Sequence, residues 1–363
     1  MRSISTRFAR IPRAAAIAIL AALALLIIYG FFCQYEALSE TVVNKPRNNN
    51  TDIALYYQIV ERMRQGEGYY QATGTSMRFY GYTTRPFLTW RLPTEATLLA
   101  TLPSLGLARA LLGLLALAVL AAWVARLREV KKTALWFAAS ILIPGTALIL
   151  SFGKDAIVFH ELWSALLIAL SLALRQPGRW LPSVLVGTLA LLFREMALPY
   201  LGIMLLLAWR EGQRREALAW LAGLAVGAAY IAWHAATVTP LMDPAAESKG
   251  WLAFGGWSFA LATAQWNILT ITLPRWVVPV IVPLALVGLA GWKGETGTRA
   301  ALTLGILMAA FMVVGHPTNI YWGLMYAPLL PLGWLFCQPA LRDLWDAAWP
   351  RKKKIVSSGL GGL

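Results

Sequence analysis

Nine ionisable residues lie where apolar stretches begin or end: Asp52, Lys154, Asp155, His160, Glu161, Arg194, Glu195, Arg275 and His316. The chain that carries them is 58% hydrophobic and only 13% charged. Charged groups at membrane depth are costly, and those that persist there serve a function by default. Each type points to a chemistry. A carboxylate such as Asp52 can take the proton of an attacking hydroxyl within hydrogen-bond reach. The Arg194 guanidinium is a rigid fork of donors that matches a phosphate, and Arg275, Lys154 and His316 add cationic donors. Tyr and Trp faces along 69–82 and at Trp322 suit stacking on sugar rings.

Each of these residues also has a plainer structural reading. Asp52 precedes an amphipathic run, where Asp is a favoured helix N-cap; the cap and the base are compatible. Lys154 and Asp155, in Ser151-Phe152-Gly153-Lys154-Asp155, suit a solvated turn. His160 and Glu161 fall inside the next apolar stretch. Arg194-Glu195 interrupts nearly thirty apolar residues, as an ion pair between helices or as a ligand site. His316-Pro317-Thr318-Asn319-Ile320-Tyr321-Trp322 reads as an interfacial aromatic belt or as part of a site.

The elements that position these groups are membrane helices. Apolar runs recur at 14–33, 105–125, 133–151, 157–174, 180–193, 196–209, 217–235, 263–291, 300–315 and 323–338, about ten crossings of an all-α, polytopic bundle. The basic N-terminus and the bulky Tyr29-Gly30-Phe31-Phe32 mark the first run as a retained span rather than a cleaved signal. The pair 180–193 and 196–209 is short, so its junction at Arg194 is expected to face protein or water. Between the first two spans, 44–103 is the longest polar segment. It opens with an amphipathic helix whose apolar stripe is Ile53, Tyr56, Tyr57, Val60 and Met63, stopped by the glycines of QGEGYY. Beyond them an aromatic and basic loop without regular structure is expected, which at that length is usually functional.

The chain reads as one membrane domain over 1–363, with an outer loop at 34–104, spans at 105–210 and 211–338, and a basic tail at 339–363. With the N-terminus inside, the inner segments hold 20 basic and six acidic residues, and the remainder holds 12 basic and 11 acidic. The net charge of +15 is therefore a topological signal, and no nucleic-acid partner is needed to explain it. Both termini are expected in the cytoplasm and 44–103 on the periplasmic or outer face. Cys33 and Cys337 fall at opposite ends of their spans, against a mutual disulfide, and no Cys/His cluster has metal-site spacing.

Asp52, Tyr56, Tyr57, Gly66, Gly68, Tyr69, Tyr70, Arg85 and Pro86, in that order after a first span, resemble the first outer loop of the GT-C superfamily of membrane glycosyltransferases. FREMALPYL at 193–201 is similar to bacterial members. The resemblance covers about the first 210 residues, so that 105–210 corresponds to the core spans of a GT-C-like module. It implies a transferase similar to polyprenol-phosphate mannosyltransferases, acting in the cell envelope with Asp52 as base. Only Asp52 is carried over from the resemblance; the residue types themselves offer Arg194, Arg275, Lys154 and His316 as cationic donors to a lipid phosphate, and Tyr56, Tyr69, Tyr70, Arg85, Asp155, His160, Glu161, Glu195, Asn319, Tyr321 and Trp322 as sugar or acceptor contacts. Many members pair two acids in this loop; here Thr51 precedes Asp52. No cofactor is called for, and a divalent metal is compatible with the chemistry without being indicated.

The chemistry agrees with one base. A glycosidase needs a second carboxyl to protonate its leaving group, whereas a phosphodiester leaves as a phosphate monoester and needs cationic donors. An inverting transfer from a polyprenyl-phosphate sugar to a hydroxyl of a glycan, glycolipid or protein fits. The alternative is a transporter or flippase for a lipid-linked or anionic substrate, with its site at the breaks near Arg194-Glu195 and Pro274-Arg275. A third is a scaffold protein, which leaves the ionisable cluster unused.

Overall fold

Long Leu/Ala/Val runs satisfy their backbone groups only as helices when no water is at hand, and the regular elements among the described residues are all helical. The computed structural model describes residues 4–33, 35, 52–246, 250 and 252–350. The helices are α1 (Arg13–Phe32), α2 (Asp52–Arg64), α3 (Tyr69–Phe79), α4 (Thr94–Thr101), α5 (Leu105–Val130), α6 (Ala134–Leu148), α7 (His160–Leu174), α8 (Leu181–Phe193), α9 (Leu198–Arg210), α10 (Arg214–Val238), α11 (Gly256–Thr263), α12 (Ile268–Thr272), α13 (Val278–Gly291), α14 (Gly294–Val313) and α15 (Leu330–Ala348).

Among the described residues, five helical stretches are long and apolar enough to cross a membrane: Arg13–Phe32, Leu105–Val130, Ala134–Phe152, Arg214–Leu241 and Gly294–Val313. A sixth is counted if Pro317–Met325 and Leu330–Ala348, bent by 73°, form one broken span. The protein is a membrane-embedded helical bundle. The sequence expectation of ten crossings includes α7, α8, α9 and α13, which are shorter. Each of α8 and α9 has 13 residues, about 20 Å at 1.5 Å per residue against a hydrocarbon core of about 30 Å. The run at 263–291, overlong and interrupted at Pro274-Arg275 in the sequence, is divided into α12, a 3₁₀ turn at Arg275–Val277 and α13; Pro274, which lacks an amide hydrogen, stands at the break.

Helix α7 is central. Thirteen of its 15 residues are buried, packed chiefly against α5 and α8. Ser164 Oγ donates to Ala190 O at 3.0 Å and Ser171 Oγ to Ser183 O at 2.6 Å. Such bonds between membrane helices contribute about 0.6 kcal/mol each. Helices α13 and α15 touch backbone to backbone where Gly288 faces Gly333, so a Cβ on either would collide with the other's main chain.

The described part of the 44–103 segment is more ordered than expected. From residue 52 it holds α2, α3, α4 and a 3₁₀ turn at Phe87–Thr89. Helix α2 ends at Gly66, whose φ of +98° suits glycine. The buried side of α2 is Leu55, Tyr56, Ile59 and Val60, while Ile53, Tyr57 and Met63 are half-buried. The stripe is therefore turned toward Leu55 and Ile59 because α3 and α4 both pack on that side. Helix α3 buries Ala72, Thr73, Gly74, Ser76 and Met77. Its small residues let Trp90 approach: a Cβ at Gly74 would lie 2.9 Å from the Trp90 ring. Cys33 and Cys337 are both free thiols.

Candidate functional site

Asp52 is the first residue of α2 and half-buried. Its Oδ1 accepts a hydrogen bond from Tyr82 Oη at 2.6 Å. One turn along α2 lies Tyr56, whose phenol oxygen accepts from Arg91 Nε at 3.1 Å. Nη2 of the same guanidinium donates to Tyr321 Oη at 2.9 Å. Arg91 thus ties the juxtamembrane helix α2 to the 3₁₀ segment Pro317–Met325. Among the described residues it forms no ion pair with a carboxylate.

Burial opposes the Arg91 cation. The phenols of Tyr56 and Tyr321 and the carboxylates of Glu161 and Glu195 more than offset that, and its pKa is raised. Burial pushes the Tyr56 phenol up to about 12 against the pull of Arg91. Burial and then the Asp52 hydrogen bond raise Tyr82, so it remains a protonated donor far into alkaline pH.

Behind this surface stand two buried ionic groups. Arg194 lies at the break between α8 and α9, with Nε 2.8 Å from Glu161 Oε1, and Nη1 bonds Glu195. Its Nη2 is buried with no hydrogen-bond partner among the described residues. His160 Nε2 lies 3.0 Å from Glu95 Oε2, and the Tyr56 ring meets the His160 ring edge-on at 5.1 Å. Glu95 and His160 line a cavity of about 20 Å³ together with Tyr56, Tyr69 and Arg91. That volume fits about one water molecule. Among the described residues, Glu95 Oε1 and His160 Nδ1 are buried there without a hydrogen-bond partner.

The structure therefore gathers Asp52, Tyr56, His160, Glu161, Arg194, Glu195 and Tyr321. Tyr69 borders the group and donates to Arg91 O. Tyr70 reaches His234 Nδ1 at 3.1 Å instead. Asp155 accepts from Tyr57 Oη at 3.1 Å, on the side of α2 toward α5.

The other expected donors stand apart. Lys154 is exposed, and its carbonyl accepts from Arg109. Arg275 is exposed, with its guanidinium 4.4 Å from the Tyr35 ring centroid. His316 Nε2 lies 3.1 Å from Gly250 O, and Arg85 donates to Pro244 O at 2.8 Å. Trp322 is buried against Phe311, and Thr318 Oγ1 donates to Asn319.

Sequence reasoning missed Arg91 and Glu95. Arg91 closes the aromatic run before Pro93. Glu95 is 1% exposed and the only charged residue of α4, and a lone acid there was the available signal. No group of three or more metal-ligating side chains is found among the described residues. Comparison with family models, curated proteins and solved structures finds no match to the chain.

Proposed function

We propose that the protein is an integral-membrane glycosyltransferase that moves a sugar from a polyprenyl-phosphate donor to an acceptor hydroxyl, with inversion and with Asp52 as general base. The observation that carries this reading is the grouping of one half-exposed carboxylate, Asp52, with three phenols and the carboxylate-free guanidinium of Arg91. The acceptor oxygen attacks the anomeric carbon and its proton passes to Asp52. The bond from that carbon to the phosphate oxygen breaks, and its electron pair leaves with the lipid phosphate.

Charge stays balanced through this step. Asp52 loses its negative charge as the departing phosphate gains one, which Arg91 would meet, with support from Arg194 Nη2, a buried donor without a hydrogen-bond partner among the described residues. Paired Glu95 and His160, and Glu161 and Glu195 around Arg194, leave Arg91 as the cation best able to meet a phosphate. The GT-C-like resemblance of the first 210 residues supports the same reaction class. Acceptors are a glycan, a glycolipid or a protein hydroxyl.

Sidedness belongs to the reading. Counting the short helices α7, α8, α9 and α13 with the longer ones gives ten crossings, both termini inside and Asp52 on the outer face. In a background without native cysteines, Gln71→Cys is then labelled by an impermeant maleimide from outside and Gln176→Cys is not; the reverse pattern overturns the topology. Both positions are exposed. The reaction is tested with purified protein in lipid discs given polyprenyl-phosphate sugars in turn, with mass detection of glycosylated acceptor and released lipid phosphate. Donor movement across a sealed bilayer with no transfer to any hydroxyl would replace this reading by a flippase.

A further inference from the structure

Helices α5 and α6 are joined by a three-residue turn, Lys131-Lys132-Thr133. The turn lies 22 residues along the chain from Arg109, which contacts the Lys154 carbonyl near α2; at 1.5 Å per residue that is about 33 Å from the Asp52 end. Around it the surface forms a hollow of about 500 Å³ lined by Arg128, Lys131, Lys132, Thr133, Ala134 and Phe137. The Arg128 guanidinium sits over the Phe137 ring, 5.0 Å from its centroid, which steadies its position.

Among the described residues, none of these three cations forms an ion pair. The adjacent carboxylate, Glu129, is 3.4 Å from Arg126 instead. Thr133 caps α6, accepting from Trp136 N at 3.3 Å, so the positive end of a 15-residue helix belongs to the same lining. Next to the hollow, Leu135 is 82% and Phe137 40% exposed on helices of span length.

We propose that this hollow binds a phosphate-bearing anion, and that the headgroup of an anionic membrane phospholipid is the form that uses both the cations and the apolar wall. Three like charges in one concavity repel each other until an anion enters, and a phosphate accepts from an Arg fork and Lys ammoniums together. Topology calls for basic residues at this end of the bundle, but not for their convergence on one hollow, which separates the proposal from charge asymmetry alone. The site is independent of glycosyl transfer.

The test compares R128Q/K131Q/K132Q with R210Q/R214Q/R215Q, three exposed arginines at the same end. Native mass spectrometry in neutral detergent follows phosphatidylglycerol and phosphatidylcholine binding, with inorganic phosphate as competitor. The expected result is a tenfold or greater weakening of phosphatidylglycerol binding in the first variant and less than twofold in the second. Should the first variant fail to fold, Lys132→Glu, at an exposed position, is compared with Arg214→Glu and is expected to weaken phosphatidylglycerol more.

Inorganic phosphate that binds alone, and is lost in the first variant, assigns the site to free phosphate. Phosphatidylglycerol selectivity without competition by phosphate assigns it to the lipid. Equal losses in the two triple variants, or equal binding of both lipids with no phosphate binding, overturns the proposal.

Discussion

At the C-terminal end of α7, Arg175 meets Glu216 through Nε at 3.1 Å and Nη2 at 3.0 Å, and it also bonds Glu295 and Gln213. Arg299 meets Glu211 at 2.5 Å, and Trp220 donates to Glu216 at 3.2 Å. At the N-terminal end, about 22 Å away along the 15 residues of the helix, Glu161 meets Arg194 at 2.8 Å. The first network sits where three inter-helix connections meet, and every carboxylate in it faces a guanidinium; only Nε and Nη1 of Arg299 go without a hydrogen bond there, among the described residues.

The second region is built differently. Arg91 is held by phenols, and Arg194 Nη2, Glu95 Oε1 and His160 Nδ1 have no hydrogen-bond partners among the described residues. Buried polar atoms normally find partners, so those that do not call for a reason. In the first network the spare atoms belong to one guanidinium, Arg299, that is already paired with a carboxylate. In the second they are spread over three side chains near a half-exposed carboxylate, Asp52. What separates a structural cluster from a candidate site is where the spare bonding capacity lies, not burial or charge, because both regions have those.

The largest effect expected from this contrast is on turnover at the Asp52 end. Asp52→Asn removes the proposed base and keeps the shape, and a general base contributes about 10²–10⁴-fold. The measured rate of sugar transfer should fall by that order, with thermal unfolding of the detergent-solubilised protein unchanged. Full turnover by Asp52→Asn, in a preparation free of wild type, would remove Asp52 from the chemistry.

The Arg175 end should respond in the opposite manner. Arg175→Met leaves Glu216, which is fully buried, without its bidentate partner; breaking a buried pair in this way costs about 3–5 kcal/mol. Stability should drop by that amount in a denaturant titration, while transfer per folded molecule is retained. Unchanged stability would mean that the network contributes little to holding α7, α10 and α14 together.

Arg91 sharpens the comparison further. Arg91→Lys keeps the charge but replaces a fork that spans Tyr56 and Tyr321 with a single ammonium. Donor kcat/KM should fall about tenfold, which corresponds to about 1.4 kcal/mol. Arg194→Lys, whose partners are Glu161 and Glu195, should lose stability first. Equal donor affinity in Arg91→Lys and wild type would return the phosphate role to Arg194 alone.

Much of this arrangement was legible in the sequence. The long spans, the start of α2 at Asp52 and the break at Arg194 follow from hydropathy, from a stripe of apolar residues and from one arginine in a greasy run. Helices α3 and α4 were not legible. Thr73, Gly74, Thr75 and Ser76 have modest helix propensity, and packing against α2 and Trp90 overrides it. Arg275, His316 and Lys154 were grouped with Arg194 because hydropathy locates a residue along its helix, and they share that level. It does not say which neighbour the helix turns toward. Arg275 turns to Tyr35 and His316 to Gly250, whereas Arg91, from a segment outside the spans, reaches between Tyr56 and Tyr321.

The smallest expected effect is at Tyr82, and it decides whether the Asp52 hydrogen bond belongs to the site or only to the fold of the loop. Tyr82 Oη donates to Asp52 at 2.6 Å, and its raised pKa keeps that proton in place over the range in which carboxylates are charged. Tyr82→Phe deletes one hydrogen bond to a charged group, a change of about 1.5–3 kcal/mol when the group is fully buried. Asp52 is half-buried, and water replaces part of the loss, so kcat should fall by a few-fold with stability within about 1 kcal/mol. If the phenol orients the base, its removal has nothing left to act on once the base is gone. The double variant Asp52→Asn/Tyr82→Phe should then be no slower than Asp52→Asn alone. If the phenol only braces the chain between α3 and α2, the two losses should instead multiply, and stability should fall in Tyr82→Phe whether or not Asp52 is present.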